Sequence, residues 1–274
     1  MKIHFLGTAA AEGFPNPFCR CRACLEARQL GGKNIRTRSS VIIDDEIKVD
    51  HSGDANMQAI RDGIDLGAIR HVLFTHTHYD HFVPLELYSR IEGYAHGLAY
   101  PLHIYGNDSA IYQSRLGLAP DGGDGYAFHV LRPFREIVLE GGTRVTPLPA
   151  DHDRMENCLL FYIEKEGKKL FYGNDTGWFP DETWAWLQGK QIDLAILDCT
   201  CGYTGNKQNP NHMGIETVLE VQRVWREQGI IHAGSQLFVT HFTHNCGLLH
   251  DELERIFAPA GIYVAYDGLI VELP

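Results

Sequence analysis

The sequence has no long hydrophobic run. Its longest apolar stretches, such as residues 194–197 and 261–266, are far shorter than the roughly 20 residues that a helix needs to cross a bilayer. Residues 1–7 carry one lysine, but their apolar run is too short for a secretory signal. We therefore expect a cytoplasmic protein without a membrane partner, whose first residues form a β-strand.

An excess of basic residues is also missing, because the formal net charge is -11 at neutral pH. Long nucleic acids are bound through clustered Lys and Arg that replace counterions along the phosphate backbone. The composition therefore argues against a long nucleic acid as partner. A small anionic substrate stays compatible with it, provided that metal ions supply the positive charge.

Strand-like and helix-like patterns alternate along the chain without a linker or a repeat, which predicts a single domain over residues 1–274. Strands are predicted at residues 3–6, 41–43, 47–49, 72–75, 144–147, 159–164, 169–172, 194–197 and 237–240. Helices are predicted at residues 82–91, 180–187, 215–228 and 248–257. Residues 119–126, rich in Gly and Asp, are predicted to form a mobile surface loop.

A dense set of metal-ligand residue types directly follows the predicted strand 72–75. His76, His78, Asp80 and His81 place four such residues within six positions. Divalent metals are bound by neutral imidazoles and ionised carboxylates, so this spacing can supply two adjacent ions. An ordinary polar run at a strand end is the alternative, and it does not account for so dense a set.

Three further candidate ligands, His152, Asp175 and His241, each follow a predicted strand. Taken singly, His152 or Asp175 would be no more indicative than an ordinary turn residue. Their recurrence in the same context indicates that strand ends bring them to one edge of a sheet. The sequence thus predicts a paired metal site.

Three of the seven cysteines form a knuckle at residues 19–24. The spacing of Cys19, Cys21 and Cys24 is typical of three thiolate ligands of a structural zinc, which needs a fourth ligand from elsewhere. His244, three residues beyond His241, is the natural candidate. A redox pair or ordinary surface cysteines are the alternatives, and the odd number of cysteines argues against a disulfide framework.

The order of these residues resembles the metallo-β-lactamase superfamily, and the resemblance implies an α/β fold, a four-layer αββα sandwich with the metal site at one sheet edge. Seven residues match the family's paired site: one ion would be held by His76, His78 and His152, the other by Asp80, His81 and His241, and both by Asp175. Asp50 matches a residue that orients the metal loop without ligating. His51 follows it, where the family has a small residue.

The knuckle and residues 240–244 resemble one branch of that superfamily, the PhnP cyclic-phosphate phosphodiesterases. The resemblance covers nearly the whole chain and departs at Cys201, where a His is expected, and through much of residues 82–145. The coenzyme-biosynthesis protein PqqB resembles the same knuckle, so the knuckle alone does not determine the function. A non-enzymatic, PqqB-like metal-binding protein therefore stays an alternative.

The implied activity is hydrolysis of a small or cyclic phosphodiester by a hydroxide held between two divalent ions, Mn²⁺ or Zn²⁺. Asp80 and His212 are the catalytic candidates beside the metals. His212 follows strand 194–197 just ahead of a helix, and is expected to protonate the leaving alkoxide. Its ordinary interpretation is a histidine at a helix start without a catalytic role.

Two other hydrolase classes share the metal motif. A thioester or lactone hydrolase would polarise a carbonyl at the same site, but such relatives are not expected to carry the knuckle. A transfer-RNA-processing nuclease is disfavoured by the acidic composition. The natural substrate stays open, and so does the oligomeric state, including a homodimer.

Overall fold

Fourteen strands of the computed structural model, which describes residues 1–208 and 211–273, form two sheets of seven strands each. The first sheet contains β1 (Lys2–Gly7), β2 (Ser40–Ile43), β3 (Ile47–Val49), β4 (His71–Leu73), β5 (Leu102–Gly106), β6 (Tyr126–Val130) and β14 (Ile270–Glu272). The second contains β7 (Ile137–Val138), β8 (Arg144–Pro149), β9 (Leu159–Lys165), β10 (Lys168–Gly173), β11 (Ile192–Asp198), β12 (Ile231–Thr240) and β13 (Ile262–Val264). In space the sheets run β14-β1-β2-β3-β4-β5-β6 and β13-β12-β11-β10-β9-β8-β7.

Six α-helices lie in the described part of the chain: α1 (Arg22–Leu30), α2 (Ala55–Asp62), α3 (Asp108–Gly122), α4 (Asp181–Leu187), α5 (Ile215–Glu227) and α6 (His250–Phe257). Short 3-10 helices complete the pattern, among them Pro84–Arg90 and His244–Cys246. No helix between residues 1 and 208 or 211 and 273 is long and apolar enough to cross a membrane.

The two sheets pack face to face because successive residues of a strand point to opposite faces. In β9, Leu159 and Phe161 lie in the core between the sheets, whereas Leu160 and Tyr162 lie in the core beneath the helices. Helices α2 and α3 cover the first sheet, and α4, α5 and α6 cover the second. This arrangement confirms the four-layer αββα sandwich.

Each predicted strand overlaps with an observed one, and α4, α5 and α6 lie within two residues of their predicted bounds. Residues 82–91 form a 3-10 helix, Pro84–Arg90, in place of the predicted α-helix. The predicted loop 119–126 is wrong, because α3 continues to Gly122 and β6 begins at Tyr126. Leu118 is fully buried in the core beneath α3, and this packing holds the segment helical despite Pro120.

Strand direction determines where the candidate site lies. β10, β11 and β12 are parallel, so their carboxyl ends reach the same edge of the second sheet. β8 ends at that edge too, because two antiparallel pairings separate it from β10. At the end of β4 in the first sheet, Thr75 accepts a hydrogen bond from the backbone N–H of Leu159 at 2.9 Å. This bond joins the two sheets beside the site.

Trp225 anchors α5 on the outer face of the second sheet. Its ring is fully buried and stands edge-on to Phe171 while it stacks on Phe179. We expect Trp225→Ala to lower the free energy of unfolding by about 3–5 kcal/mol, because it removes a large buried side chain and leaves a cavity.

Denaturant unfolding of the two proteins measures this loss. Leu219→Ala, on the exposed side of the same helix, is the matched control and should cost less than about 1 kcal/mol. Equal losses for the two variants would contradict the assignment of Trp225 as the anchor.

Candidate active site

The seven predicted ligand residues converge at the shared edge of the sheets in two groups. The ligand atoms of each group lie within 4.8 Å of one another, and the groups are His76, His78, His152 and Asp175, and Asp80, His81, His241 and Asp175. Asp175 belongs to both, which is the position of the predicted bridging ligand. The convergence is observed, and the binding of metal by these residues stays a prediction.

The backbone at the site is held in an unusual conformation. Asp50, Asp175 and His241 have φ angles of 59°, 58° and 64°, in the left-handed region that residues other than glycine rarely adopt. Asp175 and His241 lie just beyond the ends of β10 and β12, and Asp50 directly follows β3. Such conformations persist only where the surrounding structure stabilises them, and they cluster at functional sites.

Two threonine hydroxyls determine which nitrogen of two histidines carries the proton. Thr75 Oγ1 donates to the Asp50 carboxylate at 3.0 Å and lies 2.9 Å from Nδ1 of His76. Because a hydroxyl has one hydrogen, it must accept from this Nδ1, which is therefore protonated. The lone pair of His76 is left on Nε2, which is buried and has no hydrogen-bond partner among the described residues.

The same relay recurs on the second sheet. Thr200 Oγ1 donates to Asp198 at 2.9 Å and lies 2.8 Å from Nδ1 of His241, so the lone pair of His241 is also on Nε2. His81 is oriented alike, since its Nδ1 lies 2.7 Å from Oδ2 of Asp50. Asp50 thus has the orienting position that the resemblance implies. Outer partners of this kind hold histidine ligands in the tautomer that metals require.

The resulting arrangement fits divalent cations. Nε2 of His81 lies 3.2 Å from Nε2 of His241 and 2.9 Å from Oδ2 of Asp175. Nε2 of His76 is 3.3 Å from the same oxygen without forming a hydrogen bond. Lone pairs that face one another around a buried carboxylate repel unless a cation lies between them. Neutral imidazoles with carboxylates are the donor set of zinc and similar ions.

The remaining two histidines of the first group have outer partners as well. His78 Nε2 lies 3.0 Å from Oδ2 of Asp153, and its Nδ1 lies 3.0 Å from Nε2 of His152. His152 Nδ1 lies 3.0 Å from the backbone oxygen of Asn211. Asp153 has no local signal in the sequence, because its role depends on a contact that only the folded chain makes.

His212 lies beside the paired site, between two carboxylates. Its Nδ1 is 3.1 Å from Oδ2 of Asp198 and 3.1 Å from Oδ1 of Asp175. Burial lowers the pKa of His212, but the two carboxylates outweigh it and raise the pKa to about 11. The two carboxylates therefore favour the protonated form of the imidazole.

The loop that carries His212 is pinned at its base by glycines. A Cβ atom on Gly214 would lie 2.4 Å from the backbone oxygen of Gly202 and 2.7 Å from Cα of Gly205. Only glycine permits this close approach. The contact fixes the two ends of the loop and so places His212 over the end of β11.

Asp198 is a site residue that sequence reasoning missed. It is fully buried at the last position of β11, and its carboxylate accepts from the backbone N–H groups of Thr200 and Met213, each at 2.9 Å. It also lies near His212 and His241. The pattern that indicated Asp175, a polar residue at the end of a buried strand, is equally present at Asp198 and could have identified it.

The paired site opens into a pocket of about 450 Å³. Its walls include Asp80, His212 and Glu12, the last of which accepts a hydrogen bond from Thr243. None of the described residues that line the pocket is Lys or Arg. The side chains around the site therefore supply no fixed positive charge other than histidine.

The knuckle residues form a separate cluster. Ligand atoms of Cys19, Cys21, Cys24 and His244 lie within 4.8 Å of one another, and Nδ1 of His244 is 3.5 Å from Sγ of Cys19 and 3.7 Å from Sγ of Cys21. The backbone N–H of Cys24 lowers the pKa of Cys21 to about 6, and His244 contributes in the same direction. A thiolate is the form of cysteine that binds metal.

The other cysteines lie apart from the knuckle. Cys158 and Cys199 are buried, whereas Cys201 and Cys246 line the active-site pocket. All seven cysteines are free thiols. Cys201, the position at which the sequence departs from the PhnP branch, therefore lies where a substrate would contact it.

Solved structures with the same architecture cover nearly the whole chain. A diphosphatase from the PhnP family is 24% identical, with a TM-score of 0.75 and coverage of 100% of this chain and 98% of that one. Zn²⁺-bound PqqB from Methylobacterium extorquens is 22% identical, with a TM-score of 0.77 and full coverage of both chains. The short form of human tRNase Z is 18% identical, with a TM-score of 0.66 and full coverage of both. At these identities the similarity shows the fold.

The sequence itself also identifies a family. No curated protein matches it significantly. The family described as the Beta-lactamase superfamily domain matches residues 46–242, which include every residue of the paired site. The chain therefore belongs to the metallo-β-lactamase superfamily of metal-dependent hydrolases.

Proposed function

We propose that this chain is a metal-dependent phosphodiesterase that hydrolyses small phosphodiesters, with cyclic phosphates as the preferred class. The composition of the pocket is the main support for the proposal. Two groups of candidate metal-binding residues share Asp175, and the described walls of the pocket contain no Lys or Arg. A phosphodiester has a single negative charge, which a pair of divalent ions alone can balance. A substrate with further charges would need cationic side chains that these walls do not provide.

The paired site would hold two divalent ions, Mn²⁺ or Zn²⁺, through the seven residues named above. When bound, such ions lower the pKa of water and neutralise charge on the phosphate. Asp80 lines the pocket, and its carboxylate is kept ionised because His81 and His241 outweigh its burial and hold its pKa far below the ordinary range. Its oxygens can therefore orient the attacking water as well as bind metal.

His212 is the proposed proton donor to the leaving group. Its Nδ1 is occupied by Asp198 and Asp175, so Nε2 is the nitrogen left to face the pocket that His212 lines. An alkoxide leaving group needs a proton as the P–O bond breaks, and an imidazolium supplies it. Asp198 orients the ring and stabilises its charged form.

Glu12 supports a singly charged substrate over a diphosphate. Its carboxylate lines the pocket, where it would repel a second negative group and accept hydrogen bonds from hydroxyl groups such as those of a ribose. The diphosphatase of the PhnP family shares the fold, so diphosphates are the competing substrate class to compare.

We further propose that Cys19, Cys21, Cys24 and His244 hold one structural zinc. The four residues supply three thiols and one imidazole, a donor set that is typical of zinc sites that stabilise a fold. All seven cysteines of the chain are free thiols, which supports a reducing, cytoplasmic location for the protein.

Metal content provides the first test of the proposed function. We expect gently purified protein to hold about three ions per chain, two at the paired site and one at the knuckle. Asp175→Ala should lose the paired ions and nearly all activity but keep the knuckle zinc. Cys21→Ser should lose only that zinc and unfold at a lower temperature, because structural zinc contributes directly to folding.

Elemental analysis with activity assays distinguishes these outcomes, and each variant is the control for the other. Asp193→Asn, whose carboxylate contacts His232 on the surface, should retain all ions. Full zinc retention in Cys21→Ser would refute the knuckle assignment.

Substrate preference is the second test. We expect kcat/KM for a cyclic phosphate to exceed that for a thioester, a lactone or a diphosphate by about tenfold or more at equal metal loading. Glu12→Gln should narrow the gap between cyclic phosphate and diphosphate, because it removes the repulsive charge and keeps the size of the side chain. Faster turnover of the thioester would refute the phosphodiesterase, and no turnover of any substrate would favour a non-enzymatic, PqqB-like protein.

The third test concerns His212. General acid catalysis is typically worth about 10²- to 10⁴-fold, so His212→Ala should slow an alkyl phosphodiester by roughly that factor. A nitrophenyl ester should lose much less, because nitrophenolate departs without a proton. Metal content should stay unchanged, since all seven paired-site residues remain.

Comparing the two substrates separates the roles that His212 could have. Equal slowing of the two esters with metals intact would make His212 a phosphate-positioning residue. No slowing of either would leave it an ordinary loop histidine and refute the catalytic assignment.

A further inference from the structure

A second cavity of about 320 Å³ lies on the outer side of the first sheet, beneath the 3-10 helix Pro84–Arg90. Its apolar walls are formed by Leu66, Ile69, Val72, Leu87, Leu98 and Leu102. Lys48, His51 and Arg90 also line it, and none of the proposed catalytic residues does. The cavity is therefore separate from the active-site pocket.

Lys48 is a buried cation with unused hydrogen-bonding capacity. Its side chain is 1% exposed, and Nζ donates to Ser40 Oγ and to the backbone oxygen of Asp50. An ammonium group has three hydrogens, so one donor is left for a ligand. Burial lowers the pKa of Lys48 to about 7 despite the nearby Asp50, and an anion beside the amine would favour its charged form.

His51 and Arg90 also present unsatisfied polar atoms. Nδ1 of His51 and Nη1 of Arg90 are buried and lack a hydrogen-bond partner among the described residues. Nη2 of Arg90 donates to the backbone oxygen of Tyr100 at 3.0 Å, which fixes the guanidinium at the cavity wall. Buried polar atoms without partners are destabilising, so native proteins seldom keep them unless a ligand or water binds there.

No carboxylate balances these cations. Among the described residues, Lys48 donates to Ser40 and to a backbone oxygen, and Arg90 donates to a backbone oxygen, so none of these partners is a carboxylate. The Asp50 carboxylate is committed to Thr75 and His81. Glu86 lines the cavity, but its side chain is exposed and pairs with neither cation. A buried cation without a counter-ion is destabilising, and an anion would relieve that penalty.

We propose that this cavity binds a small organic anion with one carboxylate and an apolar body. The carboxylate would lie among the donors of Lys48, His51 and Arg90, and the body would lie against the leucine walls. A volume of about 320 Å³ is at the lower end of the usual range for small-molecule sites, about 300–1,000 Å³. His51, at the position where the related family has a small residue, becomes part of the site.

Binding of octanoate, acetate and 1-octanol to the full chain tests the proposal by isothermal titration calorimetry. Octanoate has the charge and the apolar body, acetate only the charge, and octanol only the body. We expect octanoate to bind at least about tenfold more tightly than either fragment. Absence of octanoate binding, or equal binding of octanol, would refute the proposal.

Two variants locate the ligand. Lys48→Met keeps the length of the side chain but removes its charge, and Leu98→Trp fills the cavity while Lys48 stays in place. Each should weaken octanoate binding about tenfold or more. Lys168→Met, at the start of β10 in the other sheet, is the matched control and should leave the affinity unchanged.

Metal ions at the active site could also attract a carboxylate, so Asp175→Ala is tested in parallel. Binding that persists in this variant and is lost in Leu98→Trp supports the cavity. Binding that is lost in Asp175→Ala but retained in Lys48→Met and Leu98→Trp would place octanoate at the paired site and overturn the proposal.

Discussion

The buried carboxylate of Asp175 lies within 3.6 Å of nitrogen atoms from five histidines, His76, His81, His152, His212 and His241. An anion in an interior of low dielectric is stable only if positive charge surrounds it. These histidines come from segments that follow strands of two different sheets, so they surround Asp175 only after the sheets have packed. The left-handed backbone of Asp175 is held by the same packing, and the fold and the site therefore depend on each other.

Asp50 and Asp198 surround the histidines of the site as a second layer of buried carboxylates. Each lies where a strand ends, each accepts from a threonine hydroxyl, and each hydroxyl in turn fixes the tautomer of a histidine, His76 or His241. The two sheets thus present matching hydrogen-bonded pairs to the candidate site, one from each side. Buried hydrogen bonds orient the imidazoles of His76, His81 and His241, so the fold itself aims these three side chains at a common point.

The sequence predicted which residues converge at the sheet edge, because their signal is local. His76, His78, Asp80 and His81 are crowded together, and His152, Asp175 and His241 follow apolar runs. Residues whose role depends on partners that are distant in the sequence show no such local pattern. Lys48 lies between two apolar residues of β3, and nothing in this local pattern indicates that it is buried beneath a 3-10 helix from a later part of the chain. The prediction of a loop at residues 119–126 was wrong for the same reason, because packing on the first sheet outweighed the turn-forming composition of this segment.

Fixed positive charge is distributed unevenly between the two cavities. The active-site pocket has carboxylates but no Lys or Arg on its described walls, so its positive charge would come from histidine and from the proposed metal ions. The second cavity has Lys48 and Arg90 but no paired carboxylate. Asp50 connects them, because its carboxylate orients His81 while its backbone oxygen accepts from Lys48 at 2.5 Å. If the proposed anion draws the ammonium group of Lys48 toward itself, the bond from Lys48 to this peptide weakens, and the change reaches the residue whose carboxylate orients His81.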